Sequence, residues 1–220
     1  MFHRFGSMTN GFYDLYGLDN AAIRFDFNFG LNDYFSFGFG RSSLKKTYDF
    51  YTKIKFLSQK TGPPTPPFSS ALFFKTEIMT SEKNEIFSNR LTYDLQLLIA
   101  RKINSKISLQ LIPTVIHKNL IQTNETNNTL FSFGIGGRIK ITNRFSINGD
   151  TFYPMGKRNK ENFRQSWGVG CDIETGGHVF QLMLTNVQGS NESAYIEGAN
   201  GTLKNMNIYF GFNITRSFTL

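Results

Sequence analysis

The chain has 220 residues and a mass of 25.1 kDa, the size of one ordinary domain, and its single cysteine excludes an internal disulfide framework. Only 40% of residues are hydrophobic, yet 24 Phe and 9 Tyr carry the aromatic share to 15%; no apolar run approaches the roughly 18 to 20 residues of a membrane-spanning helix. The net charge of +8 is scattered over apparent turns and accompanies neither a basic helix nor an RNA-binding signature, so nucleic acid is not an expected partner.

Along the chain the dominant signal is alternation with period two, the mark of β-strands with one apolar face. A short first strand is expected at 2–6, followed by a segment, Gly11 to Leu18, in which Phe12, Leu15 and Tyr16 share one side at helical spacing and are expected to pack over or into a barrel mouth. Ile23, Phe25, Phe27 and Phe29 then oppose Arg24, Asp26 and Asn28, and after a turn near 32 the set resumes at Phe35, Phe37 and Phe39 against Ser36, Gly38 and Gly40. A strand at about 47–57 sets Tyr48, Phe50, Ile54 and Phe56 against Asp49, Lys53 and Lys55, and a Gly- and Pro-rich connection follows over 58–67.

The second half repeats the pattern. Leu91, Tyr93, Leu95, Leu97 and Ile99 oppose Arg90, Thr92, Asp94 and Gln96; Phe131, Phe133, Ile135 and Ile139 oppose Ser132, Gly134, Gly136, Arg138 and Lys140; Trp167, Val169, Cys171 and Ile173 oppose Gly168, Gly170, Asp172 and Glu174. The final strand sets Phe210, Phe212 and Ile214 against Gly211, Asn213 and Thr215. Short turns near 32, 104, 143 and 176 alternate with longer polar segments at 7–20, 41–46, 80–89, 119–128, 155–163 and 187–204.

These features predict a single domain over 1–220: a transmembrane antiparallel up-and-down β-barrel of about 12 strands, with short periplasmic turns and longer outer loops. The apolar face would meet lipid, the Gly-, Ser-, Thr- and Asn-rich face would line a polar lumen, and Tyr34, Tyr48, Tyr93, Phe145 and Tyr153 would stand in interfacial girdles. A lipocalin-like barrel with the apolar face inside is the other way to satisfy the alternation.

The candidate site residues are the lumen-side charges Arg24, Asp26, Lys53, Lys55, Lys75, Glu77, Arg90, Asp94, Arg138, Lys140, Asp172 and Glu174, which would either select ions or knit the interior by cross-strand pairs. Neither a metal nor an organic cofactor is expected, since no Cys/His cluster has ligand spacing and the Gly-Ile-Gly-Gly stretch at 134–137 lacks the helix a phosphate loop needs. His117, near the outer end of a strand, is read as interfacial rather than as part of a hydrolytic triad, and no enzyme activity is expected. Lys157, Arg158 and Lys160 would meet lipopolysaccharide phosphates, and the Asn-x-Ser/Thr triplets at Asn124, Asn127, Asn191 and Asn200 would mark exposed loops.

The stretches His3-Arg4-Phe5-Gly6 with 12–19, Gly38 to Ser43 with 46–49, Gln96 to Lys102, Asp172 to Leu182, and Phe210 to Arg216 together resemble an uncharacterised outer-membrane β-barrel family of Bacteroidetes-type bacteria. The resemblance implies a barrel in the bacterial outer membrane, folded by the barrel assembly machinery, without an established activity. It also implies a signal peptide and more of the first strand ahead of His3, which this sequence would lack. The expected role is passive passage or binding of a small solute, or else a plugged barrel that acts through its outer loops.

Overall fold

The computed structural model describes the chain apart from residues 61, 63–64, 82–84, 121–126, 156–163, 200–206 and 219–220. Twelve antiparallel strands run as β1 (Phe2–Ser7), β2 (Ala22–Gly30), β3 (Phe35–Ser42), β4 (Thr47–Leu57), β5 (Ser69–Met79), β6 (Leu91–Lys102), β7 (Ile107–Lys118), β8 (Thr129–Lys140), β9 (Phe145–Met155), β10 (Ser166–Thr175), β11 (His178–Thr185) and β12 (Tyr209–Arg216). Each pairs with its chain neighbours, and β1 closes on β12 with Phe2 opposite Asn213 and Arg4 opposite Gly211. A closed up-and-down barrel satisfies every strand edge, so no backbone ladder is left open.

The alternation read from the sequence sets the two faces. Phe25, Phe27, Phe29, Phe37, Phe39 and Phe50 all stand exposed on the outside, where Phe27 meets Phe39 at a ring distance of 5.3 Å and Phe29 meets Phe37 at 5.4 Å. Inside, Arg24, Asp49, Lys75, Glu77, Asp94 and Ser132 are buried. The burial is therefore inverted relative to a lipocalin-like barrel: large apolar side chains face out and polar ones face in. Tyr34 and Phe145 stand at the short-turn end and Tyr48, Tyr93 and Tyr153 at the other, so the aromatics mark both rims.

The short connections adopt side-chain-closed turns. Asn32 Oδ1 accepts from the Tyr34 and Phe35 N–H groups, Asn104 Oδ1 does the same for Lys106 and Ile107, and Thr142 Oγ1 for Arg144 and Phe145. Each is a local cap that returns the chain antiparallel within a few residues.

Three expectations change in the structure. The loop expected over 41–46 is shorter, because Arg41 and Ser42 continue β3 and only residues 44–46 form a 3-10 turn. The segment Met8–Asn20 is a broken 3-10 run rather than a helical turn, since Leu15, Tyr16 and Gly17 all take positive φ. Phe12 is 78% exposed and packs against Tyr16. The largest departure lies between β11 and β12. The segment expected to be an outer loop folds inward over residues 186–199 and forms a short helix, α1 (Glu192–Glu197), inside the barrel.

Candidate functional site

The lumen divides into an ion-paired wall and a cavity. On the wall, Arg24 of β2 donates from Nε to Asp49 Oδ2 at 3.2 Å and from Nη2 to Asp49 Oδ1 at 2.7 Å, while Nη2 also reaches Asp26 Oδ2 at 2.7 Å. Asp49 lies on β4, two strands away. The guanidinium crosses β3 over Gly40, where a Cβ would stand only 2.7 Å from Arg24 Nη2. Lys75 Nζ adds contacts to Asp49 at 3.4 Å and Glu77 at 4.0 Å, and the Tyr51 hydroxyl donates to Asp26 Oδ1 at 2.8 Å. Paired in this way, buried charges offset the cost of leaving water.

Helix α1 crosses this interior from β5 towards β9. Its first turn is fixed to the ion-paired wall: Lys75 Nζ pairs with the Glu192 carboxylate, the Asn191 amide donates to Glu77 Oε2 at 2.6 Å, and the Ser193 hydroxyl donates to the same oxygen. Ile196 fills an apolar niche made by Ile116, Leu130 and Phe152, all buried. The Tyr195 hydroxyl donates to Asp150 Oδ1 at 2.5 Å, and Glu197 pairs with Lys118. Gly134 opens the niche, because a Cβ there would overlap the Phe152 ring.

Around the Glu192 carboxyl, burial favours the neutral acid, but the positive charges of Lys75 and Arg24 outweigh it and hold the group below its usual range. Glu192 is therefore ionised wherever α1 is docked at neutral pH.

Beside α1 lies a cavity of about 620 Å³ whose lining includes Arg4, Gln96, Gln110, Asn148, Asp150 and Asn213. A hydrogen-bonded chain runs along its wall. Arg4 Nη1 donates to Asn213 Oδ1 at 2.9 Å, the Asn213 amide to Gln181 Oε1, and Gln181 Nε2 to Asp172 Oδ1 at 2.9 Å. Asn148 Nδ2 donates to the same Asp172 oxygen at 2.7 Å, and Arg138 joins through Ser146 at 2.9 Å and by pairing with Glu174.

Of the residues singled out in the sequence, Arg24, Asp26, Lys75 and Glu77 meet on the wall, and Arg138, Asp172 and Glu174 meet at the short-turn end of the cavity. Asp94 is buried beside Gln96, whose amide donates to it at 2.9 Å. Lys53 is exposed, Lys55 lies 5.8 Å from the centre of the Tyr34 ring, and Lys140 is exposed near the short turn at 141–144. Arg90 ends a 3-10 turn, Phe87–Arg90, with its guanidinium 5.7 Å from the Phe87 ring centre. His117 shares a 2.8 Å hydrogen bond with Thr129 Oγ1.

Asn191, expected in an exposed loop, is instead buried at 4% exposure on Glu77. Lys157, Arg158, Lys160, Asn124 and Asn200 lie outside the described residues. Sequence reading missed Arg4, Asp150, Tyr195 and the whole of α1. The stretch Asn191-Glu192-Ser193-Ala194-Tyr195-Ile196-Glu197-Gly198 did hold a signal, an Asn ahead of an acidic first turn and a Gly at the far end.

Over residues 1–218 the sequence matches the model of a family described as a membrane-bound beta barrel domain, of unknown function. No curated protein matches it. Two solved structures are similar in fold. The NanC porin superimposes with a TM-score of 0.66 at 6% identity, covering 99% of this chain and 98% of that one. The KdgM porin gives 0.62 at 10% identity, covering 99% and 97%.

Proposed function

The chain belongs to the membrane-bound beta barrel domain family, and from that premise we propose that it is a non-enzymatic barrel of the bacterial outer membrane through which small polar solutes pass passively. The observation that carries this reading is the 620 Å³ cavity inside the barrel, walled by amide and charged side chains and narrowed by α1. A polar lumen inside an apolar outer face suits a hydrated path across lipid. The inward segment suits a narrow one, because α1 takes up interior width that twelve strands would otherwise leave to water. The short turns face the periplasm in this reading and the longer connections face outward.

A second reading, a closed barrel that acts through its outer loops, is favoured by the several separate contacts that pin α1. Ion conductance of the refolded protein in a planar bilayer separates the two when measured alongside a variant whose residues 190–198 are replaced by a Gly/Ser linker. Passive passage predicts small discrete steps for the natural sequence and larger ones for the variant. Protein that inserts but whose natural sequence carries no current overturns passive passage and leaves the closed barrel, and current in the variant alone marks α1 as its plug.

A further inference from the structure

Three cations are buried among the described residues: Arg4, Arg24 and Lys75. Arg24 lies against Asp26 and Asp49, and Lys75 against Asp49, Glu77 and Glu192. Arg4 differs. Only 5% exposed, it has no carboxylate within ion-pair distance among the described residues, and its hydrogen bonds go to two neutral oxygens, Asn213 Oδ1 and the His3 carbonyl. Its Nε has no partner at all. Asp150, which lines the same cavity, acts on Arg4 electrostatically from beyond ion-pair distance and is itself held by the Tyr195 hydroxyl.

A guanidinium taken out of water without a carboxylate in direct contact is costly, and its planar fork matches the two oxygens of a carboxylate. Arg4 forms part of the cavity wall, and its guanidinium lies over Gly211, where a Cβ would come within 2.5 Å of Nη1. The absence of a side chain at that position provides the slot it occupies. Beside it stand the amides of Asn213, Gln181 and Asn148, which supply donors and acceptors for the polar remainder of a ligand.

We infer that the cavity is a binding site for a small organic carboxylate, with Arg4 as the group that receives it. The inference rests on the proposed polar lumen and deepens it by naming the solute chemistry. The carboxylate belongs either to a simple organic acid or to an amino acid, whose ammonium Asp150 would face.

Isothermal titration of the refolded, detergent-solubilised protein tests this without requiring current. The probes are succinate, its neutral isostere succinamide, and glutamine. Succinate or glutamine binds, and succinamide binds at least about tenfold more weakly than the binding acid, a difference of roughly 1.4 kcal/mol. Arg4→Gln abolishes binding. Because that variant also removes a buried side chain, Asn213→Asp is the second test: it keeps the shape and sets a fixed carboxylate on the Arg4 guanidinium, so it too abolishes binding. Binding by glutamine identifies the amino-acid source, and binding by succinate alone the simple acid. Equal binding of succinate and succinamide, no binding of either acid, or full binding by Asn213→Asp overturns the inference. Binding without conductance removes passive passage and leaves the carboxylate site standing.

Discussion

Arg24 reaches Asp49 because Gly40 stands between them. Any Cβ at that position would meet the guanidinium and, at 2.9 Å, the Asp49 Oδ1 atom. Gly40→Val is thus predicted to separate two buried charges, a loss of about 3–5 kcal/mol by the general cost of breaking one side of a buried pair. Gly30, on the same inward parity, has open space around it, so Gly30→Val leaves stability within about 0.5 kcal/mol. Urea unfolding of the two variants in lipid vesicles gives the comparison. The alternation in the sequence places Arg24, Asp49 and Gly40 on one face, but it holds no record of which partner each charge takes. That choice depends on β2, β3 and β4 lying side by side, and on a glycine whose part is to leave space. Arg4 was hidden for a related reason. Only β1 closing on β12 brings it to Asn213 and Gly211, more than 200 positions along the chain.

Helix α1 illustrates what period alone misses. Six residues are less than two turns, too few for a 3.6-residue repeat to rise above a polar stretch. The segment is buried by what it meets: Glu77 and Lys75 on β5, Asp150 and Phe152 on β9, Ile116 on β7. Ile196 is its apolar anchor, at 1% exposure. Ile196→Asp sets a charge among Ile116, Leu130 and Phe152, which is too costly to remain there. The segment should then leave the lumen, and limited proteolysis should cut the β11–β12 connection at least about tenfold faster, as expected for a segment drawn to the low-stability end. An unchanged cleavage rate would mean that the polar contacts alone hold α1.

Acid provides a second handle on the same element. The folded Glu192 carboxyl titrates below its unfolded value of about 4.3. Its contribution to docking is complete above the unfolded value and is lost only as the pH falls through the lowered, folded one. The part of the proteolysis rate that depends on Glu192, read as the difference between the natural sequence and Glu192→Ala, should therefore change only below about pH 4. Glu192→Ala removes that acid-dependent change.

For the whole molecule, the exchange of faces accounts for both the composition and the fold. A chain only 40% hydrophobic supports twelve strands because lipid, rather than a protein core, covers its apolar half, and the interior is held by hydrogen bonds and ion pairs. Architecture was therefore the most legible property: each outward Phe or Ile announces an inward neighbour, and a slip of one residue would turn every charge towards lipid. This arrangement makes substitutions asymmetric. Phe27 sits midway along β2, outward, with its ring against Phe39, while its neighbour Asn28 faces in and donates to the Tyr51 hydroxyl at 3.2 Å. Phe27→Arg is predicted to cost about 2–4 kcal/mol at mid-membrane depth, whereas Asn28→Ser, on the hydrated side, forfeits one hydrogen bond of about 1 kcal/mol. Folding yields into lipid vesicles across a urea series measure both. Equal losses at the two positions would mean that the outer face is covered by something other than hydrocarbon, since only a lipid solvent penalises the charge so much more than the missing amide.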